Sequence, residues 1–233
     1  MPTVKICGIR MPETLLAMKG LPVDHIGFVF AKSKRQVSPE EAGRLIRLLR
    51  EEGFQEQGGF LAAGVFVNPT LEELEAVLAE APLDIVQLHG QETPLFCQEV
   101  KERFGVGIFK AASLPESGEG GVGDLAEVTV ARLTETLEPY VPYTDAFLLD
   151  TFDPVIGGGS GRTFPWQAIP PVRDWARKAG HRLIIAGGLH GDNVEQLLAD
   201  YGPDGVDVSS GVETDGVKDP DKIRIFVERV KRS

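Results

Sequence analysis

The sequence has little cysteine, no long apolar run and a shortage of positive charge. Cys7 and Cys97 are the only cysteines in 233 residues, so there is no disulfide framework, and no CxxC pair points to zinc. Reduced thiols in a reducing compartment fit that usage. No stretch reaches the roughly 20 apolar residues of a membrane helix, and the opening MPTVKICGIR lacks the apolar core of a secretory signal. The expectation is a cytoplasmic protein with no membrane partner. Lys and Arg number 24 against 35 Asp and Glu, a formal charge of -11. That balance argues against a nucleic-acid partner, because binding a phosphate backbone needs clustered cations. An anionic small molecule would need positive groups placed locally.

What is present is alternation. Short β-rich runs recur with amphipathic helical stretches between them, the pattern of repeated β-then-α units around a parallel sheet. Eight strands are expected: Thr3–Cys7, His25–Phe30, Ala63–Val67, Ile85–Leu88, Gly107–Ala111, Ala146–Asp150, Arg182–Ala186 and Val206–Ser209. Most are continuous apolar runs, as required where helices cover one face and a packed interior covers the other. Ser38, Thr70 and Asp192 each place a capping oxygen three residues before a Glu. Thr93-Pro94 and Asp219-Pro220 put proline at a first helical position. Helices are also expected over Leu125–Leu137 and Lys222–Val230, whereas the one after KICGIR starts at Met-Pro-Glu with no polar cap. Gly53–Gly59 and Ser117–Gly123 read as surface insertions. These elements predict an α/β fold, a (β/α)8 TIM barrel forming a single domain over residues 1–233, with no repeat beyond the alternation itself.

Functional groups of such a barrel come from the C-terminal ends of its strands and the loops that follow. The loop Gly157-Gly158-Gly159-Ser160-Gly161-Arg162-Thr163 offers backbone N–H groups to an anion with no side chain in the way. Gly187-Gly188 after strand seven and Ser209-Ser210-Gly211 after strand eight add donors beside it. Together they read as a phosphate site. Cys7 ends strand one, and its sulfur is a proton-abstracting base only if its surroundings lower the thiol pKa. Asp150 ends strand six, either working as an acid or capping the next turn. Asp207 lies within a strand as a buried hydrogen-bonded group. Arg35, in a loop with Lys32 and Lys34, can grip a carboxylate with two N–H groups or be a solvated charge. His89 ends strand four and either lines the pocket or caps its loop. Lys110 can reach the barrel mouth and balance the site. Cys97 is read as structural.

In combination these segments resemble the phosphoribosylanthranilate isomerase family. KICGIR resembles its first strand with the catalytic cysteine. GFVF with SKRQVSPEEA resembles its second strand and mobile loop, and GVFVN and VQLHG its third and fourth strands. LLDTFDP with GGSGRTFPW resembles the acid-bearing sixth strand and the phosphate loop, here with one glycine more than usual. AGGL with Asn193, and VDVSSGVE with KD, resemble the seventh and eighth segments. The resemblance implies an Amadori rearrangement of N-(5-phosphoribosyl)anthranilate to 1-(2-carboxyphenylamino)-1-deoxyribulose 5-phosphate in tryptophan biosynthesis. It implies Cys7 as general base and Asp150 as general acid. It also implies Arg35 on the anthranilate carboxylate, with His89 and Asp207 as further substrate contacts. Phosphate would be held by Gly158, Gly159, Ser160, Gly161, Gly187, Gly188, Ser209, Ser210 and Gly211. No metal or organic cofactor is implied, and a homodimer is compatible with the family.

Three other readings compete. The histidine-pathway isomerase of the same chemistry is expected to carry aspartate where this chain has Cys7. Indole-glycerol-phosphate synthase needs a lysine acid, for which Lys5 and Lys110 are the candidates. A phospho-ligand sensor without chemistry would have no reason to retain both Cys7 and Asp150.

Overall fold

The computed structural model describes residues 1–52, 59–115, 124–152 and 165–232. Its eight main strands are β1 (Thr3–Cys7), β2 (His25–Val29), β3 (Leu61–Phe66), β4 (Ile85–Leu88), β5 (Gly107–Pro115), β6 (Ala146–Phe152), β7 (Arg182–Ile185) and β8 (Gly205–Val208). They pair in parallel and in order, and β1 pairs with β8 to close the barrel. Around it lie α1 (Pro12–Ala17), α2 (Pro39–Glu51), α3 (Leu71–Glu80), α4 (Pro94–Phe104), α5 (Asp124–Leu137), α6 (Ile169–Lys178), α7 (Gly191–Tyr201) and α8 (Pro220–Arg232). The expected (β/α)8 order therefore holds. Strands three, five and six run further than expected, since β3 starts at Leu61 and the β5/β6 pairing continues to Pro115 and Phe152.

Strict alternation divides the strand side chains. Val4 and Ile6, Ile26 and Phe28, Phe147 and Leu149, Leu183 and Ile185 pack outward into the layer shared with the helices. Ala63, Ile85, Phe109, Ala111, Ala146, Leu148, Ile184 and Ala186 form a separate cluster inside the barrel. Cys7, Val29 and Val65 form a third, small cluster. A packed interior with a few polar groups carried on the same inward positions is what lets strand-borne side chains serve a site.

Helix starts follow the sequence signals. Ser38 and Thr70 form reciprocal capping boxes with Glu41 and Glu73, each cap contributing about 1 kcal/mol. Thr93 caps α4 with Pro94 in its first turn, and α1 starts at Met11 with no side-chain cap. The expectation for α7 is corrected: its cap is His190, reciprocated by Asn193, and Asp192 lies inside the first turn. Asn193 Oδ1 accepts from His190 N at 2.9 Å while its Nδ2 donates to Gly188 O at 2.9 Å. The amide thus ties helix to loop.

The alternation also carries a structural regularity. Asp24, Asp84, Asp145 and Asp204 stand immediately before β2, β4, β6 and β8. Their carboxylates accept the N–H of Val4 (2.7 Å), Ala62 (2.8 Å), Ile108 (2.7 Å) and Leu183 (3.0 Å), the second residues of β1, β3, β5 and β7. Each also meets a cation from an even-numbered helix: Lys231 at 2.7 Å, Arg50 at 3.5 Å, Lys101 at 2.8 Å and Arg177 at 2.6 Å. Four equivalent clamps staple the strands in pairs at their N-terminal ends, away from the ends where a barrel carries its chemistry.

Candidate active site

At the C-terminal ends of the strands a cavity of about 450 Å³ is lined by Cys7, Arg35, His89, Asp150, Gly187, Gly188, Asp207, Ser209 and Ser210, among others. Residues far apart in sequence are brought together as expected. Lys110 is not among them. It projects to the outer side of the barrel, where Nζ donates to Leu88 O at 3.3 Å, Gly90 O at 2.8 Å and Glu92 Oε2 at 2.9 Å. It is paired with Glu92 on that outer side rather than placed in the mouth. Gly211 does not line the cavity either: a Cβ there would collide with the Leu189 carbonyl. Residues 158–161 lie outside the described residues.

Cys7 and Lys5 share the inward side of β1. Lys5 is fully buried, and Nζ lies 2.9 Å from Asp207 Oδ2, directly across the β1/β8 pairing. A Cβ on Gly27, the β2 partner of Cys7, would stand 2.8 Å from Cys7 Sγ and 3.1 Å from Lys5 Nζ. Absence of a side chain there gives thiol and ammonium common space. Burial pushes the Cys7 thiol above its ordinary value, with Lys5 the strongest opposing influence, Asp207 acting with burial and Lys218 against it. The surroundings therefore do not by themselves lower the thiol pKa, the condition on which Cys7 serves as a base. Burial works against the charge on Lys5, but attraction to Asp207 and Cys7 outweighs it and raises the pKa. Asp207 keeps its second oxygen, Oδ1, buried with no hydrogen-bond partner among the described residues, an uncommon and costly state unless a ligand donor completes it.

His89 comes from the end of β4. Burial, then Lys110 and Lys5, press its pKa down to about 4, so the ring is neutral at pH 7. Gln87 Nε2 lies 3.2 Å from Nδ1. With the amide as donor, Nδ1 accepts and the proton sits on Nε2. Nε2 stands 3.5 Å from Asp150 Oδ2, which for a neutral ring is a dipole facing the carboxyl rather than an ion pair. Asp150 is 7% exposed at the inward position of β6.

Arg35 is buried rather than solvated. Nε and Nη2 donate to Glu213 Oε1 and Oε2 at 2.7 and 2.9 Å, a two-point fork. Burial raises Glu213, but the hydrogen bonds from Arg35 and Lys218 outweigh it and hold the carboxyl down to about 2. Glu213 and Lys218 belong to a small antiparallel pair after the barrel, β9 (Glu213–Thr214) and β10 (Val217–Lys218). Neither was given a role from sequence, although both fall within the VDVSSGVE and KD segments that carry the family resemblance.

Ser209 Oγ donates to Cys7 O at 3.1 Å and receives Lys218 Nζ at 3.2 Å, so its hydroxyl is engaged within the protein. Gly188, Ser210 and Gly211 present N–H groups with no acceptor among the described residues. Such donors at the ends of β7 and β8 suit an anion. Cys97 is buried on α4, and burial lifts its thiol to about 11, in keeping with a structural role.

Known proteins share both sequence and shape. The family model described as N-(5'phosphoribosyl)anthranilate (PRA) isomerase matches residues 4–229. The N-(5'-phosphoribosyl)anthranilate isomerase of Brevibacillus brevis is 48% identical over 231 residues, covering 99% of this chain and 94% of the relative. That of Geobacillus thermodenitrificans is 35% identical, covering 100% and 95%. The crystal structure of phosphoribosyl anthranilate isomerase from Thermotoga maritima superposes with a TM-score of 0.78 at 34% identity, covering all of both chains. Another, in complex with reduced 1-(o-carboxyphenylamino)-1-deoxyribulose 5-phosphate, gives 0.74 at 33% identity, again over both whole chains. With the closed barrel and a strand-end cavity already in place, these likenesses assign the chain: it belongs to the N-(5'-phosphoribosyl)anthranilate isomerase family and is an isomerase of tryptophan biosynthesis.

Proposed function

We propose that this chain, residues 1–233 acting as one catalytic barrel domain, converts N-(5-phosphoribosyl)anthranilate to 1-(2-carboxyphenylamino)-1-deoxyribulose 5-phosphate by an Amadori rearrangement, with Asp150 as general acid and Cys7 as general base. The observation that carries this reading is that Cys7 from β1 and Asp150 from β6 line one cavity, with unengaged backbone donors after β7 and β8 at its edge. Asp150 in its acid form donates a proton to the furanose ring oxygen, the C1′–O bond breaks, and the anthranilate nitrogen forms the Schiff base. The Cys7 thiolate then takes the C2′ proton, giving an enolamine that tautomerises to the ketone. No atom is gained or lost. One group must begin protonated and the other deprotonated, and Lys5 is the neighbour that most favours the Cys7 thiolate against burial.

Arg35 is assigned to the anthranilate carboxylate. Asp207 Oδ1 and the Nε2–H of His89 are assigned to substrate polar groups, and a substrate hydroxyl would satisfy Asp207 Oδ1. Gly187, Gly188, Ser209 and Ser210 would hold phosphate together with Gly158, Gly159, Ser160 and Gly161, with Ser209 contributing main-chain rather than hydroxyl contact. Both lysines that an indole-glycerol-phosphate synthase reading needs are committed elsewhere, Lys5 to Asp207 and Lys110 to Glu92, which favours the isomerase. A cytoplasmic location and a homodimer complete the proposal, the latter by analogy with a Thermotoga maritima relative described as dimeric. The test is loss of anthranilate-type fluorescence from freshly generated phosphoribosylanthranilate. Cys7→Ser and Asp150→Asn should each lower kcat by about a hundredfold or more while product affinity stays nearly intact. Near-normal turnover by either variant removes that residue's assignment.

A further inference from the structure

Arg35 is held from outside the cavity. Glu213 takes its Nε and Nη2, and Glu213 is itself fixed. Lys218 Nζ donates to its Oε1 at 2.7 Å, and Lys222 Nζ of α8 donates to its main-chain O at 2.8 Å. On the other flank, Gly8 at the end of β1 has φ +82°, and a Cβ there would stand 2.7 Å from Arg35 Cδ. Arg35 is thus threaded between the end of β1 and the β9/β10 turn.

We propose that Glu213 is a positioning and specificity-determining residue, which by occupying Nε and Nη2 leaves Nη1 of Arg35 to receive the substrate's ring carboxylate at the cavity. This rests on the reading of Arg35 as the carboxylate contact. Nη1 donates to nothing among the described residues. Arg35 and Lys218 against Glu213 leave one net positive charge, the complement of one carboxylate. An arginine ordered before the ligand arrives spares the binding step the loss of side-chain freedom.

Simple electrostatics predicts the opposite sign for removing Glu213. Deleting an anion beside the guanidinium makes the pocket more attractive to a carboxylate, whereas releasing Arg35 makes it less so. The experiment measures affinity for two stable ligands, the reduced carboxyphenylamino-deoxyribulose 5-phosphate and its counterpart with an unsubstituted phenyl ring. Wild type, Glu213→Gln, Arg35→Met and the double variant are compared. Glu213→Gln should bind the carboxylated ligand about tenfold more weakly, one charge-assisted contact's worth, and the phenyl ligand unchanged. Arg35→Met should abolish the preference, and the double variant should lose no more. Equal or tighter binding of the carboxylated ligand by Glu213→Gln, with the preference lost in Arg35→Met, overturns the role of Glu213 alone. A preference that survives Arg35→Met overturns the Arg35 reading and this inference with it. Comparing two ligands on one protein separates positioning from misfolding, which weakens both. If Glu213→Gln does not fold, Glu213→Asp, which keeps the charge one methylene further back, should lose part of the same preference, and full retention there overturns the inference.

Discussion

Cys7 sits in a field of opposed charges, with Lys5 and Lys218 favouring the thiolate and burial and Asp207 resisting it. Since the base form is the thiolate and the thiol is raised, replacing Lys5 by Met should raise it further. Reaction of Cys7 with iodoacetamide at fixed neutral pH should then slow about threefold for each pKa unit gained, the smaller thiolate fraction outweighing its greater nucleophilicity. Lys5→Met with Asp207→Asn removes both members of the buried pair, and should leave the thiol less reactive than wild type because Lys5 is the stronger influence. Wild-type reactivity in both variants would mean that Lys5 serves only Asp207. Cys7, Asp150 and Asp207 were legible in the sequence because each ends or interrupts an apolar strand, where a polar group needs a reason. Glu213 was not, because its partner Arg35 is 178 residues away and only barrel closure brings them together. Gln87, whose amide faces His89 Nδ1 at 3.2 Å, was hidden by looking like one polar position in a buried strand.

Among the elements, strand order, the capped starts of α2, α3 and α4 and the uncapped start of α1 followed directly from local sequence. Those signals act over a few residues. The start of α7 was misread because Asp192 satisfies the capping pattern on paper, yet His190 and Asn193 form the reciprocal pair. The four aspartate clamps were missed because an Asp before a strand looks like turn chemistry until its long-range N–H partner is known. They make a stability prediction. Asp145→Ala removes the acceptor for Ile108 N and the partner of Lys101, and should cost about 1.5–3 kcal/mol in urea unfolding. The clamp lies at the opposite end of the barrel from the cavity, so kcat should be unchanged. Unaltered stability would show that the clamps are incidental.

Over the whole molecule, acid should act through histidine first. Burial, with neighbouring Lys5 next, presses His25 to about 4, and His89 is likewise held at about 4, against about 6.5 in an unfolded chain. The folded protein keeps these rings neutral where the unfolded chain binds protons. Their stabilisation is therefore complete above about pH 6.5 and is lost as pH falls toward 4, about 3 kcal/mol for each ring. Glu213, held near 2, gives up its contribution only below the ordinary carboxylate pKa of about 4.3. A Tm series should decline across pH 6.5 to 4, and a flat Tm to pH 4 would refute this account. Fluorescence loss from phosphoribosylanthranilate is the most direct measurement of the central claim, with wild type, Cys7→Ser and Cys97→Ser compared side by side. Rapid loss by wild type and Cys97→Ser, with Cys7→Ser slower by about a hundredfold or more, is the predicted result, and near-wild-type turnover by Cys7→Ser would contradict it.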